Sequence, residues 1–583
     1  MARTPTSGRQ NTPGPLVQAL RLGRKPILYA ALFSLASNLL YLALPIYTNQ
    51  VFSRVLSSQS LSTLIVLTLG VAFVFIVSGA IDMLRAQVLT RFGVLFDQQM
   101  ASRTFAALFD AVLRRQGGAR AQALRDLDAV RQAIGGQAIG VLFDVPWIPI
   151  FMILLFAIDP IIGATTAIGG VILLLLAIAQ DRATRATLRD SGDMAIQSYA
   201  FTDAALRNGE VVRALGMLPT LGRKWAMYRH ASVSSGSAAS DQAGLYSNAI
   251  RTVRMMIQIA TIAVGAYLVI ERAIPGGMLF ANMILAARAL ATIERIVGSW
   301  NGLFAAVQAY QRLDGVLNDY EPPVPATQLP TPIGRLSVEN VSFAPAGSSA
   351  LLLTAVSFRV EPGEMIGVIG KSGAGKSTLA RLLVGIWKPT SGSVRLDGAD
   401  VYSWDREDFG RHVAYQPQDT ELFSGTIRDN IARFRVDAQD ADVVKAAQAA
   451  GAHELILRLS KGYETELGEA AAVLSSGQRQ RVGLARTLFG DPQIVVLDEP
   501  NANLDAEGEA ALMEALLGLK RRGATVLLIS HKPAAFIHAD KMLVLNNGQV
   551  AKFGPRDAVM GEVTRPPAAV ATPGRPALNE ATS

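Results

Sequence analysis

The sequence predicts an all-α membrane domain of six spans joined to an α/β domain that holds a nucleotide. Three observations predict it. Apolar runs crowd the first half of the 583 residues. Gly370-Lys371-Ser372-Gly373-Ala374-Gly375-Lys376-Ser377-Thr378 has the spacing of a phosphate cradle. Ile494-Val495-Val496-Leu497-Asp498-Glu499 is an apolar strand ending in two carboxylates. Half of the residues are hydrophobic and only 17% are charged, which fits a lipid-embedded half followed by a water-facing one. The formal net charge is +8, but the basic residues lie between apolar runs. Orientation in a bilayer therefore explains them, and no nucleic-acid partner is expected. The chain has no cysteine, which excludes disulfides and thiolate metal sites.

A helix needs about 20 apolar residues to cross ~30 Å of hydrocarbon. Six stretches qualify: Pro26–Tyr47, Leu61–Met83, Ile139–Ile158, Ile161–Ala179, Met255–Ile270 with its flanks, and Met278–Trp300. Asp159-Pro160 separates the third from the fourth, and Glu271–Gly277 the fifth from the sixth. Arginines and lysines precede the first span and fill the long segments after the second and fourth, while the other connections are short and nearly uncharged. The positive-inside rule then puts both termini and both long segments in the cytoplasm. Those segments continue the helical pattern beyond the bilayer. Interruptions are expected at Gly117-Gly118, Gly135-Gly136, Asn208-Gly209 and the serine-rich Ser232–Ser240. Asp144 and Arg288 are charges inside spans, where burial is costly; a structural pairing and a contact with cargo both fit them.

The expected organisation is a polar cytoplasmic segment (1–25), the membrane domain with its helical extensions (26–318), a proline-rich linker (319–334), the nucleotide domain (335–562) and a disordered tail rich in Pro, Ala and Thr (563–583).

In the cradle, glycines let successive N–H groups point at one anion, and the helix opening at Lys376 adds its positive end. Lys376 supplies charge to the β and γ phosphates, and the Ser377 hydroxyl is placed for Mg²⁺. Asp498 is a second candidate for Mg²⁺. Glu499, one residue on, is placed to polarise the attacking water as general base. Gln418, in Tyr415-Gln416-Pro417-Gln418-Asp419, can reach Mg²⁺ and the water. His531, after the strand Thr525–Ser530, can bond the γ-phosphate. Leu474-Ser475-Ser476-Gly477-Gln478 opens another helix, so its N–H groups form a second anion site. Asn503-Leu504-Asp505 lies just beyond the base.

With these motifs in this order, the domain from about Arg335 to Ala558 resembles the nucleotide-binding domains of ABC transporters. The resemblance implies a homodimer binding ATP and Mg²⁺. Each ATP would lie between the cradle of one chain and the signature Ser475, Ser476, Gly477 and Gln478 of the other, with Asn503 and Asp505 in the D-loop. Six spans before one ATPase domain resemble a type I ABC exporter half. Val51–Leu56, Phe143–Phe151, Glu210–Leu218 and Asp498–Asp505 are similar to type I secretion exporters, the alkaline-protease group in particular. That likeness implies export of a protein with a C-terminal signal across a bacterial inner membrane, through a periplasmic adaptor and an outer-membrane channel. Export of lipid or small amphiphiles is the alternative. Only about 25 residues precede the first span and no cysteine nucleophile is present, so leader-peptide processing is not expected.

Two positions depart from the family pattern. Ser476 stands where the signature usually has glycine. A positive φ there would cost roughly 1 kcal/mol, whereas a negative φ would leave the hydroxyl as an extra donor. Pro345 stands where an adenine-stacking tyrosine is common, and Phe343 reads as a core strand residue.

Overall fold

The computed structural model describes residues 14–113, 122–320, 322, 329–345, 348–468 and 473–563. The chain divides near residue 321 into two units. Gly117-Gly118, residues 321 and 323–328 of the linker and all but the first residue of the tail lie outside the described residues.

In the first unit, five helices among the described residues are long and apolar enough to cross a membrane: Arg24–Ser58, Leu61–Leu113, Pro160–Arg207, Leu218–Ile270 and Gly276–Trp300. The 53 residues of Leu61–Leu113 rise about 80 Å, far more than a bilayer requires. Asp159 accepts hydrogen bonds from the N–H groups of Ile161 (2.8 Å) and Ile162 (3.4 Å), so it caps the fourth-span helix while Pro160 fixes its first turn.

The expected third span, Ile139–Ile158, is not one helix. Helix Gln137–Leu142 ends and the 12-residue helix Trp147–Ile158 begins across a turn at Phe143–Pro146. Asp144 and Val145 donate their N–H groups to Val141 and Leu142, three residues back. Pro146 and Pro149 have no N–H with which to continue an α-helical ladder. Asp144, in that turn, is 2% exposed. Its Oδ1 accepts hydrogen bonds from Ser34 (3.0 Å), Asn38 (3.1 Å) and Arg85 (3.2 Å), and its Oδ2 pairs with Arg295 at 3.4 Å. Arg288 donates to the side-chain Oδ1 of Asn38 at 3.0 Å and lies 4.4 Å over the Tyr41 ring. Both intramembrane charges thus belong to one polar cluster that ties three long helices to the broken one.

The serine-rich stretch also departs from expectation, because helix Leu218–Ile270 runs through Ser232–Ser240 without a break. Ser191 Oγ donates to the Ser232 carbonyl (2.9 Å) and Ser232 Oγ to the Ser191 carbonyl (3.1 Å). A Cβ on Gly236 would stand 3.1 Å from Ser191 Oγ. The small residues let two long helices approach closely; they do not stop one. Breaks do occur at Gly135-Gly136 and at Asn208-Gly209.

The second unit is built on a six-stranded sheet. Its strands are β3 (Met365–Gly370), β6 (Val413–Gln416), β9 (Ile494–Asp498), β10 (Thr525–Ile529), β11 (Lys541–Asn546) and β12 (Gln549–Pro555), in the order β12-β11-β3-β10-β9-β6. All neighbours are parallel except β11 and β12. Strands covered on both faces read as continuous apolar runs, and every residue of β9 and β10 is buried. Alternation sends Val495, Leu497, Val526 and Leu528 into a core with the helices Ser476–Leu488 and Ala506–Arg521. It sends Val496, Leu527 and Ile529 to the other face. There they pack with helix Lys376–Leu383 and a four-stranded sheet of β1 (Leu336–Phe343), β2 (Leu353–Val360), β4 (Ser391–Leu396) and β5 (Ala399–Asp400). A short pair, β7 (Gly425–Thr426) with β8 (Glu466–Leu467), completes the strands described.

Candidate active site

The strand order decides where the chemistry lies. β3, β10, β9 and β6 are parallel neighbours, so the segments leaving their carboxyl ends share one edge of the sheet. The cradle 370–378 follows β3, His531 follows β10, Asp498 and Glu499 end β9, and Gln418 follows β6.

Gly373 and Gly375 have φ of 79° and 95°, which favours residues without a Cβ. At Gly370 a Cβ would stand 2.4 Å from the Leu545 carbonyl oxygen. The loop therefore curls to the opening of helix Lys376–Leu383. Lys371 and Ser372 lie on its exposed rim, and Ala374 is buried beneath it. Lys376 is buried, and its ammonium donates to the carbonyls of Gly370 (2.9 Å) and Lys371 (3.2 Å). Thr378 is buried one turn into the helix.

Ser377 hydrogen-bonds the carboxylate of Asp498. Burial pushes the Asp498 carboxyl up from its ordinary value and the adjacent Glu499 adds to this, against the Ser377 bond and the charges of Arg381 and Lys376. Asp498 Oδ1 is buried with no hydrogen-bond partner among the described residues. A divalent cation would relieve that cost, and an all-oxygen donor set of hydroxyl and carboxylate suits Mg²⁺. Glu499 is held in the left-handed region, at φ 52°, a conformation that costs roughly 1–3 kcal/mol where the surroundings impose it. Its Oε1 lies 3.0 Å from His531 Nε2, and its Oε2 accepts a hydrogen bond from Gln418 at 3.2 Å. Three residues chosen from separate motifs thus meet on one carboxylate.

The signature makes its contacts elsewhere. Ser475 Oγ accepts from the Gln478 N–H (3.3 Å) and Gln478 Oε1 from the Ser475 N–H (2.9 Å), a reciprocal cap on helix Ser476–Leu488. Ser476 opens that helix without a positive φ, so serine there meets none of the strain considered for that position. A Cβ on Gly477 would stand 3.0 Å from the Asn503 carbonyl oxygen, which keeps this second glycine small. Asp505 caps the helix Ala506–Arg521 and pairs with Arg481 at 2.8 Å. The Gly508 N–H, followed by Arg481, holds the Asp505 carboxyl below its ordinary value. Phe343 is buried with its ring stacked on Trp387 at 5.1 Å, in keeping with a core role.

Sequence reasoning missed Arg381, whose guanidinium lies 4.8 Å over Trp387 and whose charge acts on Asp498. It also passed over Gln480, a buried amide that bonds the backbone around Glu499. Spacing from the signature was the available signal for Gln480; for Arg381 there was only its place on the cradle helix.

Comparison with known proteins follows the same division. The ABC transporter transmembrane region matches residues 27–292 and the ABC transporter family residues 353–502. Over 549 residues, 94% of each chain, the sequence is 42% identical to the type I secretion system ATP-binding protein PrsD of Rhizobium meliloti (strain 1021). The chain belongs to the type I secretion ABC transporters. It is 30% identical to the cyclolysin secretion/processing ATP-binding protein CyaB of Bordetella pertussis (strain Tohama I), over 91% of this chain and 75% of that protein. A solved bacterial Atm1-family ABC exporter with ATP bound shares the fold, with a TM-score of 0.79 over 93% of this chain and 97% of that one at 22% identity. This type I secretion ABC transporter is therefore a multi-pass membrane protein whose second unit binds and hydrolyses ATP.

Lys376→Ala is expected to weaken ATP binding. The ammonium already holds two loop carbonyls, and its loss removes a charge-assisted contact worth about 1.5–3 kcal/mol. Titration with a fluorescent ATP analogue checks this, and unchanged affinity would confine Lys376 to catalysis.

Proposed function

We propose that this chain is the energy-transducing half of a protein exporter, working as a homodimer in a bacterial inner membrane with both termini and the ATPase unit cytoplasmic. The observation that carries the reading is the 42% identity to a type I secretion ATP-binding protein along 94% of both chains. The charge pattern between the apolar helices supports the orientation. The names of the relatives, which concern secretion and toxin translocation, favour protein over lipid or small amphiphiles as cargo.

In the proposed cycle, the N–H groups of Gly370–Thr378 and the ammonium of Lys376 hold the phosphates. Ser377, Asp498 and Gln418 are the residues to hold Mg²⁺, which when bound offsets phosphate charge. Glu499 takes a proton from the attacking water, and His531 and Gln418 orient the carboxylate and the γ-phosphate. Ser475–Gln478 of one chain faces the ATP of the other, with Asn503 and Asp505 at the seam. Cargo with a C-terminal signal then passes on to a periplasmic adaptor and an outer-membrane channel.

Co-expression with candidate adaptor, channel and cargo, with the medium assayed by mass, tests the proposal. Full-length cargo should appear outside only when all components and a turnover-competent Glu499 are present. An N-terminally shortened product would sink the expectation that no leader is removed. ATP-dependent lipid flipping in liposomes, indifferent to any adaptor, would move the reading to the amphiphile alternative.

A further inference from the structure

Gln480 lies two residues beyond the signature, on helix Ser476–Leu488, and is 3% exposed. Its side-chain N–H group donates to the Pro500 carbonyl and, at 3.4 Å, to the Glu499 carbonyl. Its carbonyl oxygen accepts the Asn503 N–H at 3.2 Å. Only one orientation of the amide makes all three bonds, so donor and acceptor ends are fixed. The segment it grips is under strain, since Glu499 sits at φ 52°. The Glu499 N–H is tied to the Ile529 carbonyl at 2.9 Å, but the carbonyls of Glu499 and Pro500 leave the end of β9 with no ladder to enter. Buried backbone groups of this kind need partners: the Glu499 carbonyl accepts the Ala502 N–H at 3.2 Å as well as the amide of Gln480, and the Pro500 carbonyl takes its bond from Gln480.

We propose that Gln480 is a positioning residue for hydrolysis. Its buried amide holds the 499–503 segment in the conformation that aims the Glu499 carboxylate, and it fastens that segment to the helix that carries the signature. Resting on the homodimer reading above, the same amide is a mechanical link between the two ATP sites. The base on one side of it serves the ATP in its own cradle, and the signature on the other side faces the ATP of the second chain.

The test uses the purified full-length transporter in lipid. Gln480→Met keeps the length and bulk of the side chain but removes all three bonds, while Gln480→Glu keeps the acceptor for Asn503 and sets a negative oxygen against the two carbonyls. Thr487→Val is the control, because Thr487 is buried on the same helix and, among the described residues, its hydroxyl bonds only the Gly483 carbonyl within that helix. Both Gln480 variants should lose roughly 10- to 100-fold in kcat, the scale of a displaced catalytic group. KM for MgATP should stay within about threefold and the Hill coefficient should fall toward one, with Thr487→Val unchanged in all three. Gln480→Met with wild-type kcat overturns the proposal. So does a loss confined to nucleotide affinity, or an equal loss in Thr487→Val, since either would reduce Gln480 to a packing residue. The mass of Glu499→Gln in ATP separates this from failure of the homodimer: a monomer there removes the link between sites, while the kcat of Gln480→Met still decides whether the amide aims Glu499.

Discussion

Glu499→Gln is expected to lower MgATP turnover by about 10²–10⁴-fold, the usual contribution of a positioned general base, while ATP still binds. The carboxylate is where His531 and Gln418 converge, at 3.0 and 3.2 Å, and it stands at the end of β9 beside Asp498. Glutamine keeps the shape and still bonds Gln418, but it takes no proton from water. It also removes one negative charge next to the buried Asp498 and the phosphates, so nucleotide is retained rather than expelled. Phosphate release measures the first effect. Size-exclusion chromatography in ATP measures the second, where the variant should gather as an ATP-bound dimer. Near-normal hydrolysis would move the proton-accepting role to another group, with His531 the nearest candidate.

The gathering of the candidate residues at one sheet edge was legible because each motif keeps the groups proposed for phosphate, metal or water close in sequence. A glycine loop before a helix, a strand ending in two carboxylates and a histidine after a strand each carry their own chemistry, and a parallel sheet brings strand ends together without further information. What joins the motifs was not legible. The bonds of Gln480 depend on where helix Ser476–Leu488 packs, which is a tertiary fact. The membrane half shows the same limit. Averaged hydropathy sees Ile139–Ile158 as one apolar window, whereas Asp144, Pro146 and Pro149 act residue by residue on the hydrogen-bond ladder. Composition misleads in the other direction at Ser232–Ser240. Serine suggests a loop in isolation, yet here small side chains allow Ser191 and Ser232 to exchange hydrogen bonds between two unbroken helices.

Asp144 carries the largest stability effect expected in the membrane unit. Its carboxylate meets Arg85, Arg295, Ser34 and Asn38 from three helices, and among the described residues Asp82 is the only other acid paired with any of these arginines. Asp82 is half-exposed and pairs with Arg85 at 3.3 Å. Removing Asp144 leaves the buried Ser34 and Asn38, the largely covered Arg85 and the partly exposed Arg295 without the anion they surround, a change whose upper bound is the ~3–5 kcal/mol of a fully buried pair. Asp144→Ala should therefore lower the midpoint of thermal unfolding in detergent by many degrees. Asp144→Asn should do so less, since its amide oxygen still accepts from Ser34 and Asn38. The second substitution Arg295→Gln should return part of the loss in Asp144→Asn, because it removes an unpaired cation, whereas Arg272→Gln, in the exposed turn before Pro275, should return none. Equal midpoints for wild type and Asp144→Ala would show that the arginines find water when the carboxylate is gone. The broken third span would then be held by its prolines and its apolar packing alone.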